Sequence, residues 1–117
     1  MDSNSPPQAL PDGTHLYDVE RRAHHAERPG FRIAELQLSP TQQVPWHAHT
    51  EISDTFYVIE GELRLFLRDP KEEIRLKPGD TYAVGAGRPH LVTNGADQSV
   101  TFLIMQGVGT YDYVPLV

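Results

Sequence analysis

The sequence has no cysteine, so disulfides, thiolate metal sites, iron–sulfur clusters and a cysteine nucleophile are all excluded. Any metal it binds has to be held by nitrogen and oxygen. Basic residues are scarce: Lys and Arg number 10 against 16 Asp and Glu, a net charge of −6, which argues against a dedicated binder of nucleic-acid backbone. No apolar run approaches the roughly 18 residues that a membrane span needs. Residues 1–10 show neither a basic start nor an apolar stretch, so no secretory signal is read there, and a cytoplasmic protein with no membrane or nucleic-acid partner is expected. Gly-rich phosphate loops and a GxSxG nucleophile elbow are missing as well. Helical periodicity is almost absent, the longest stripe being a weak one at 19–26.

Turn residues are plentiful instead. Gly 9 and Pro 10 in 117 residues exceed the average of roughly 12% for the two together, and the length fits one domain. Residues 1–13, with Pro6, Pro7, Pro11 and Gly13, cannot bury enough surface to order themselves and read as a flexible arm, leaving 14–117 as a single domain. From Phe31 onward, runs rich in Val, Ile, Leu, Phe, Tyr and Thr are broken every 8 to 12 positions, which is an all-β rhythm. Strands are expected at 31–38, 44–49, 54–60, 62–68, 74–77, 81–84, 90–94 and 99–106. Leu63, Leu65 and Leu67 alternate with Arg64, Phe66 and Arg68, so 54–60 and 62–68 are read as a hairpin turning at Gly61. Pro78-Gly79 suits a type II turn. So many strands in this length predict a closed barrel or double-sheet jelly roll, with helix below about a tenth of the chain, and a lumen wide enough for one small ligand.

Three of the six histidines fall on the clearest strands. His47 and His49 are two apart, so both imidazoles leave one strand on the same face. His90 opens a later strand, with Asn94 on its face. Three imidazoles from two strands can converge on one metal, and imidazole suits Zn, Fe, Ni, Cu or Mn; without further context, exposed or hydrogen-bonded strand histidines are the readier explanation. Phe56 and Val58 share the parity of Asp54, and Val92 that of His90, which makes the lumen partly apolar or simply the barrel core. Trp46 lies on the opposite face from the histidines. Arg88 is either an anion-holding group at the pocket mouth or a solvated turn residue. Tyr57 and Tyr82 are candidate donors to a ligand, and His15, His24 and His25 read as surface.

The spacing adds specificity. His47-Ala48-His49, four residues, Asp54, six residues and Gly61 resemble the first signature of the cupin superfamily, and Gly79, Gly87, His90 and Asn94 resemble the second. The resemblance runs from Thr41 to Asn94. It implies a double-stranded β-helix, or jelly-roll barrel, in which His47, His49, the acidic residue at 54 and His90 bind one divalent metal, such as Fe, Mn, Ni or Zn. Thr41 stands where the family has Gly, and Gly85 where it has Pro; both are turn positions. Asp54 replaces the family's Glu and is one methylene shorter, which leaves direct ligation, ligation through water, a three-histidine site or a turn cap as readings, with Glu51 as a rival by parity. The expected function is that of a metal-binding, single-domain protein acting on a small polar or carboxylated metabolite, of oxygenase, isomerase or lyase type, or else a non-catalytic small-molecule sensor. The arm at 1–13, the tail at 111–117 and the barrel edges suggest a homodimer.

Overall fold

A computed structural model describes residues 8–117. Ten strands form two five-stranded antiparallel sheets packed face to face. In chain order they are β1 (Arg21–Arg28), β2 (Phe31–Leu38), β3 (Gln43–Ala48), β4 (Ser53–Glu60), β5 (Leu63–Leu67), β6 (Glu72–Leu76), β7 (Thr81–Val84), β8 (His90–Asn94), β9 (Val100–Gly107) and β10 (Val114–Pro115). One sheet runs β1-β2-β9-β4-β7 and the other β10-β3-β8-β5-β6, so the chain alternates between layers as a double-stranded β-helix does. The one helical element among the described residues is a 3-10 turn at Thr14–Leu16, and no helix is long and apolar enough to cross a membrane.

The eight strands expected from Phe31 onward all form, within about two residues at either end. Two expectations are corrected. The weak helical stripe at 19–26 is strand β1, an edge strand templated by β2 from Arg21 opposite Gln37 to Arg28 opposite Phe31. A bulge between His24 and Ala26 inserts one extra residue, which breaks the period-two alternation and hides the strand. The second correction concerns Gly61. β4 pairs with β7 and β9, whereas β5 pairs with β6 and β8, so 54–60 and 62–68 are not a hairpin. Gly61 has φ +84, and a Cβ there would lie 2.5 Å from the Ser99 carbonyl oxygen. The chain crosses between sheets at this close contact, which no other residue type fits. The turn at Pro78-Gly79 is as expected: Gly79 has φ +89, and the Asp80 N–H donates to the Lys77 carbonyl at 2.8 Å.

Alternation sorts the interior. Leu63, Leu65 and Leu67 are essentially fully buried, facing Val58, Val100, Phe102, Leu36 and Leu38 across the sandwich; each contributes about 1.5–3 kcal/mol by leaving water. Towards the other end, the same inward positions turn polar. Asp54 on β4, Gln106 on β9 and Arg32 on β2 are direct cross-strand neighbours, while His47 on β3 pairs with His90 on β8 in the facing sheet. Register thus places a polar floor at one end of an otherwise apolar barrel.

Residues 8–13 and the C-terminal segment also meet there. Leu10 bridges Tyr113 in backbone pairing, β10 adds to the edge of β3, and Gly13 packs flat on the Tyr113 ring. The first seven residues of the expected arm lie outside the described residues.

Candidate metal centre

His47, His49, Asp54 and His90 come together, all buried, with one potential ligand atom from each lying within 4.8 Å of the others. β3 delivers His47, and His49 follows just beyond its end. β4 delivers Asp54 from the opposing sheet, and His90 is the first residue of β8. The Oδ2 of Asp54 sits 3.0 Å from His49 Nε2, 2.9 Å from His90 Nε2 and 4.0 Å from His47 Nε2.

The outer ring nitrogens decide what the inner ones present. His47 Nδ1 donates to the Pro45 carbonyl at 2.7 Å, His49 Nδ1 to that of Asp112 at 2.5 Å, and His90 Nδ1 to that of Arg88 at 2.9 Å. A carbonyl oxygen only accepts, so each ring keeps its proton on Nδ1, and a neutral ring turns the Nε2 lone pair inward. Three lone pairs and a carboxylate oxygen then face one point. Such a set is repulsive unless a positive charge sits among them, and three nitrogens with one oxygen suit a divalent transition ion. A cavity of about 20 Å³, enough for one ion or one water, lies beside His47, His49 and Asp54 and is walled also by Phe56, Val92, Tyr111 and Tyr113.

Burial and the neighbouring charges pull the members of the cluster in different directions. Burial drives His47 down to about 3, helped by the charges of His90 and His49 and opposed by Asp54. Burial also works against the His49 cation, but the hydrogen bond and charge of Asp54, together with Asp112, outweigh it and raise its pKa. For Asp54, burial favours the neutral acid, yet the imidazoles of His49 and His90 against Oδ2 hold the carboxyl far below the usual range.

Asp54 makes none of the bonds of a turn cap. Its Oδ1 accepts from Gln106 Nε2 at 2.8 Å, and Gln106 Oε1 in turn accepts from Arg32 Nε at 2.7 Å. Glu51, the rival by parity, is exposed and accepts from the Thr110 N–H. Arg88 is neither solvated nor aimed at the lumen: it ties the Arg68 and Pro70 carbonyls, Glu72 and the Tyr82 hydroxyl together at the turn after β5. Tyr57 is 40% exposed on the outer face of β4. Asn94 braces a turn through the Leu38 and Gln98 carbonyls. Phe56 and Val92 do line the cluster's cavity, while Val58 lies deeper in the apolar core.

Sequence reading missed the cover. The Tyr113 ring stacks on His47 with centroids 4.5 Å apart, and Tyr111 lies 5.3 Å from His49. Burial raises the pKa of both phenols, so both stay protonated. Arg32 in turn lies over the Tyr111 ring at 3.3 Å, a cation–π contact. Gln106 and Arg32 were visible as polar residues at inward parity on strands 99–106 and 31–38; nothing in the spacing of 111–117 announced that it folds back.

The sequence matches the family model described as the cupin domain over residues 34–106, more than half the chain. No curated protein matches it. Among solved structures, a Klebsiella pneumoniae protein with a double-stranded β-helix domain superposes with TM-score 0.70 at 21% identity, over 97% of this chain and 87% of that one. A cupin-2 domain containing protein from Shewanella frigidimarina gives TM-score 0.63 at 22% identity, over 80% and 86%. An oxalate oxidase gives TM-score 0.68 at 17% identity, over 74% of this chain and 46% of that one, so this chain spans under half of its length.

Proposed function

The chain belongs to the cupin family, and from that premise we propose that it holds one divalent metal on His47, His49, Asp54 and His90 and acts on a small polar or carboxylated metabolite beside it. The observation that carries this reading is the triple Nδ1 anchoring, which presents three Nε2 lone pairs to the oxygen of a buried carboxylate. When bound, the metal would supply Lewis acidity towards an oxygen of the ligand. The chain's own residues position and shield: the carbonyls of Pro45, Asp112 and Arg88 orient the imidazoles, Gln106 orients Asp54, and Tyr111 with Tyr113 keeps bulk water off the cluster. The oxalate oxidase among the structural neighbours supports a small carboxylate as the ligand class.

Metal analysis by mass spectrometry of untagged protein tests the reading. One equivalent is expected in the wild type and well under a tenth of that in His47→Ala, His49→Ala and His90→Ala. One equivalent retained in all three would overturn it.

The tightness of the metal cavity favours a second reading, a non-catalytic sensor in which the metal only anchors a ligand; ligand binding without turnover by the loaded protein would select it. The proposal extends to a homodimer. The tail docks on its own barrel, so the supporting surface is instead the outer face of β4, where Tyr57 and Ile59 are 40% and 45% exposed and Leu103 neighbours Tyr57. A sedimentation mass near the 13.2 kDa of one chain would contradict the dimer.

A further inference from the structure

Next to the metal cavity lies a second one of about 190 Å³. Tyr17, Leu36, Ile104, Gln106 and Tyr111 line both, so they are two rooms with a common wall. The outer room is bounded by Arg22 from β1 and Arg32 from β2, with Asp12 and His24 at its rim. Arg21, Arg64, Arg75 and Arg88 are each ion-paired on the surface. Among the described residues, Arg22 and Arg32 have no carboxylate partner. Arg32 is half-buried, and its one hydrogen bond uses Nε, on Gln106. Its two terminal amino groups, which form the fork that grips an oxyanion, have no partner among the described residues. The Arg22 guanidinium lies 5.4 Å from the Tyr17 ring and makes no hydrogen bond among the described residues. Asp12 offsets part of this charge, but its Oδ1 is engaged by the Thr14 N–H at 2.7 Å. The room is smaller than the roughly 300 Å³ at which drug-sized sites begin.

We propose that this outer room is a carboxylate subsite, in which Arg32 and Arg22 hold one end of a small organic acid whose other end faces the metal cluster across the Gln106–Ile104 wall. This rests on the metal reading only for what happens at the far end; the grip on the anion is the arginines' own. Arg32 lies over the Tyr111 ring, 3.3 Å from its centroid, and its two unpartnered terminal amino groups offer the pair of N–H donors that a carboxylate accepts in bidentate form. Because Arg32 also fixes Gln106, and Gln106 fixes Asp54, an anion on Arg32 is connected to the metal site through two hydrogen bonds.

Malonate is the probe, its uncharged isostere malonamide the control and inorganic phosphate the competitor, all titrated by calorimetry at constant ionic strength into protein whose metal content is measured alongside. Malonate is expected to bind wild type at least tenfold more tightly than malonamide or phosphate. Arg32→Gln and Arg22→Gln should each lose at least fivefold in malonate affinity, with circular dichroism unchanged. Arg22→Gln, on the edge strand and away from the Asp54 relay, keeps the test valid if Arg32→Gln is unstable. Equal affinity in wild type and Arg22→Gln, or a preference for phosphate or malonamide, overturns the subsite. A protein that binds no metal but retains arginine-dependent malonate binding leaves the subsite standing and sinks the metal reading; full metal content with no malonate binding does the reverse.

Discussion

The side-chain amide of Gln106 donates to Oδ1 of Asp54 at 2.8 Å, and so leaves Oδ2 as the oxygen that meets His49 and His90. Asp54 is one methylene shorter than the glutamate of the family signature. β9 supplies the missing constraint from the neighbouring strand, because Gln106 lies directly opposite Asp54 in the register. Arg32 fixes which way the amide points: its Nε donates to Oε1, so the NH₂ group must face the carboxylate.

Gln106→Leu should therefore do more than remove a contact. It leaves a buried carboxylate oxygen unpaired, which costs about 1–3 kcal/mol, and it frees Asp54 to rotate. Losing a partner that orients a ligand typically costs 10–100-fold in metal affinity. Competition titration against a chelator of known affinity reads the second effect and urea denaturation of the metal-free protein the first. Wild-type metal affinity in Gln106→Leu would show that the bond has no orienting role.

Asp54 itself can be varied in both directions. The cavity at the cluster is about 20 Å³, so Asp54→Glu adds a methylene to a site with room for little more than the ion. Metal retention is expected, with stability lowered by about 1–3 kcal/mol through overpacking. Asp54→Asn keeps the size and removes the charge, and should hold metal at least tenfold more weakly. Stoichiometric, wild-type-strength binding in the Asn variant would mean that three histidines suffice.

The two halves of this site were legible to different degrees. His47, His49, Asp54 and His90 could be picked out because spacing along one strand, and between paired motifs, is a property of the sequence. Gln106 and Arg32 stood at inward parity as well, but only cross-strand register brings them beside Asp54, and register depends on partners far along the chain. Gly61 shows the same limit from another side: it announces a turn, but whether the next strand pairs with the last or crosses to the other sheet is decided by the packing of Ser99 and Val100 against it. Strand β1 stayed hidden because its bulge at His24–Ala26 breaks the alternation by which strands are recognised.

Acid should weaken the metal-free protein, and His47 sets the window. Its folded pKa is pushed down to about 3, against about 6.5 for an unfolded histidine. Between those values the unfolded chain binds more protons, so stability falls as pH drops from about 6.5 towards 3. Asp54, whose folded pKa is depressed, contributes stability that is present above roughly 3.9 and is lost only in stronger acid. His49 has the opposite sign: its pKa is raised, so its contribution is complete below about 6.5 and fades as pH rises through the folded value. In excess chelator, urea midpoints measured from pH 6.5 to 4, where the His49 contribution is already complete, should fall steadily for wild type and be visibly flatter for His47→Gln. Parallel curves would remove His47 as the cause.

Tyr113 joins the two ends of the chain over the histidines, and two substitutions separate its packing from its hydroxyl. Its ring is pressed between Gly13 on one side and His47 on the other; a Cβ at position 13 would lie 2.5 Å from ring atoms. Gly13→Ala must therefore push the ring off the imidazole, with a cost of about 1–3 kcal/mol and faster loss of metal to chelator. The hydroxyl is a different matter, being buried without a hydrogen-bond partner among the described residues. Burying an unpaired hydroxyl is unfavourable, so Tyr113→Phe, which keeps the stack, should hold or raise the melting temperature of the metal-free protein, by up to about 1–3 kcal/mol in stability. If the hydroxyl instead serves a ligand in the closed site, Tyr113→Phe will leave the metal-free protein as stable as expected but weaken malonate binding in the metal-loaded form. A drop in melting temperature for Tyr113→Phe without metal would show that the hydroxyl is satisfied in solution and that its burial carries no cost.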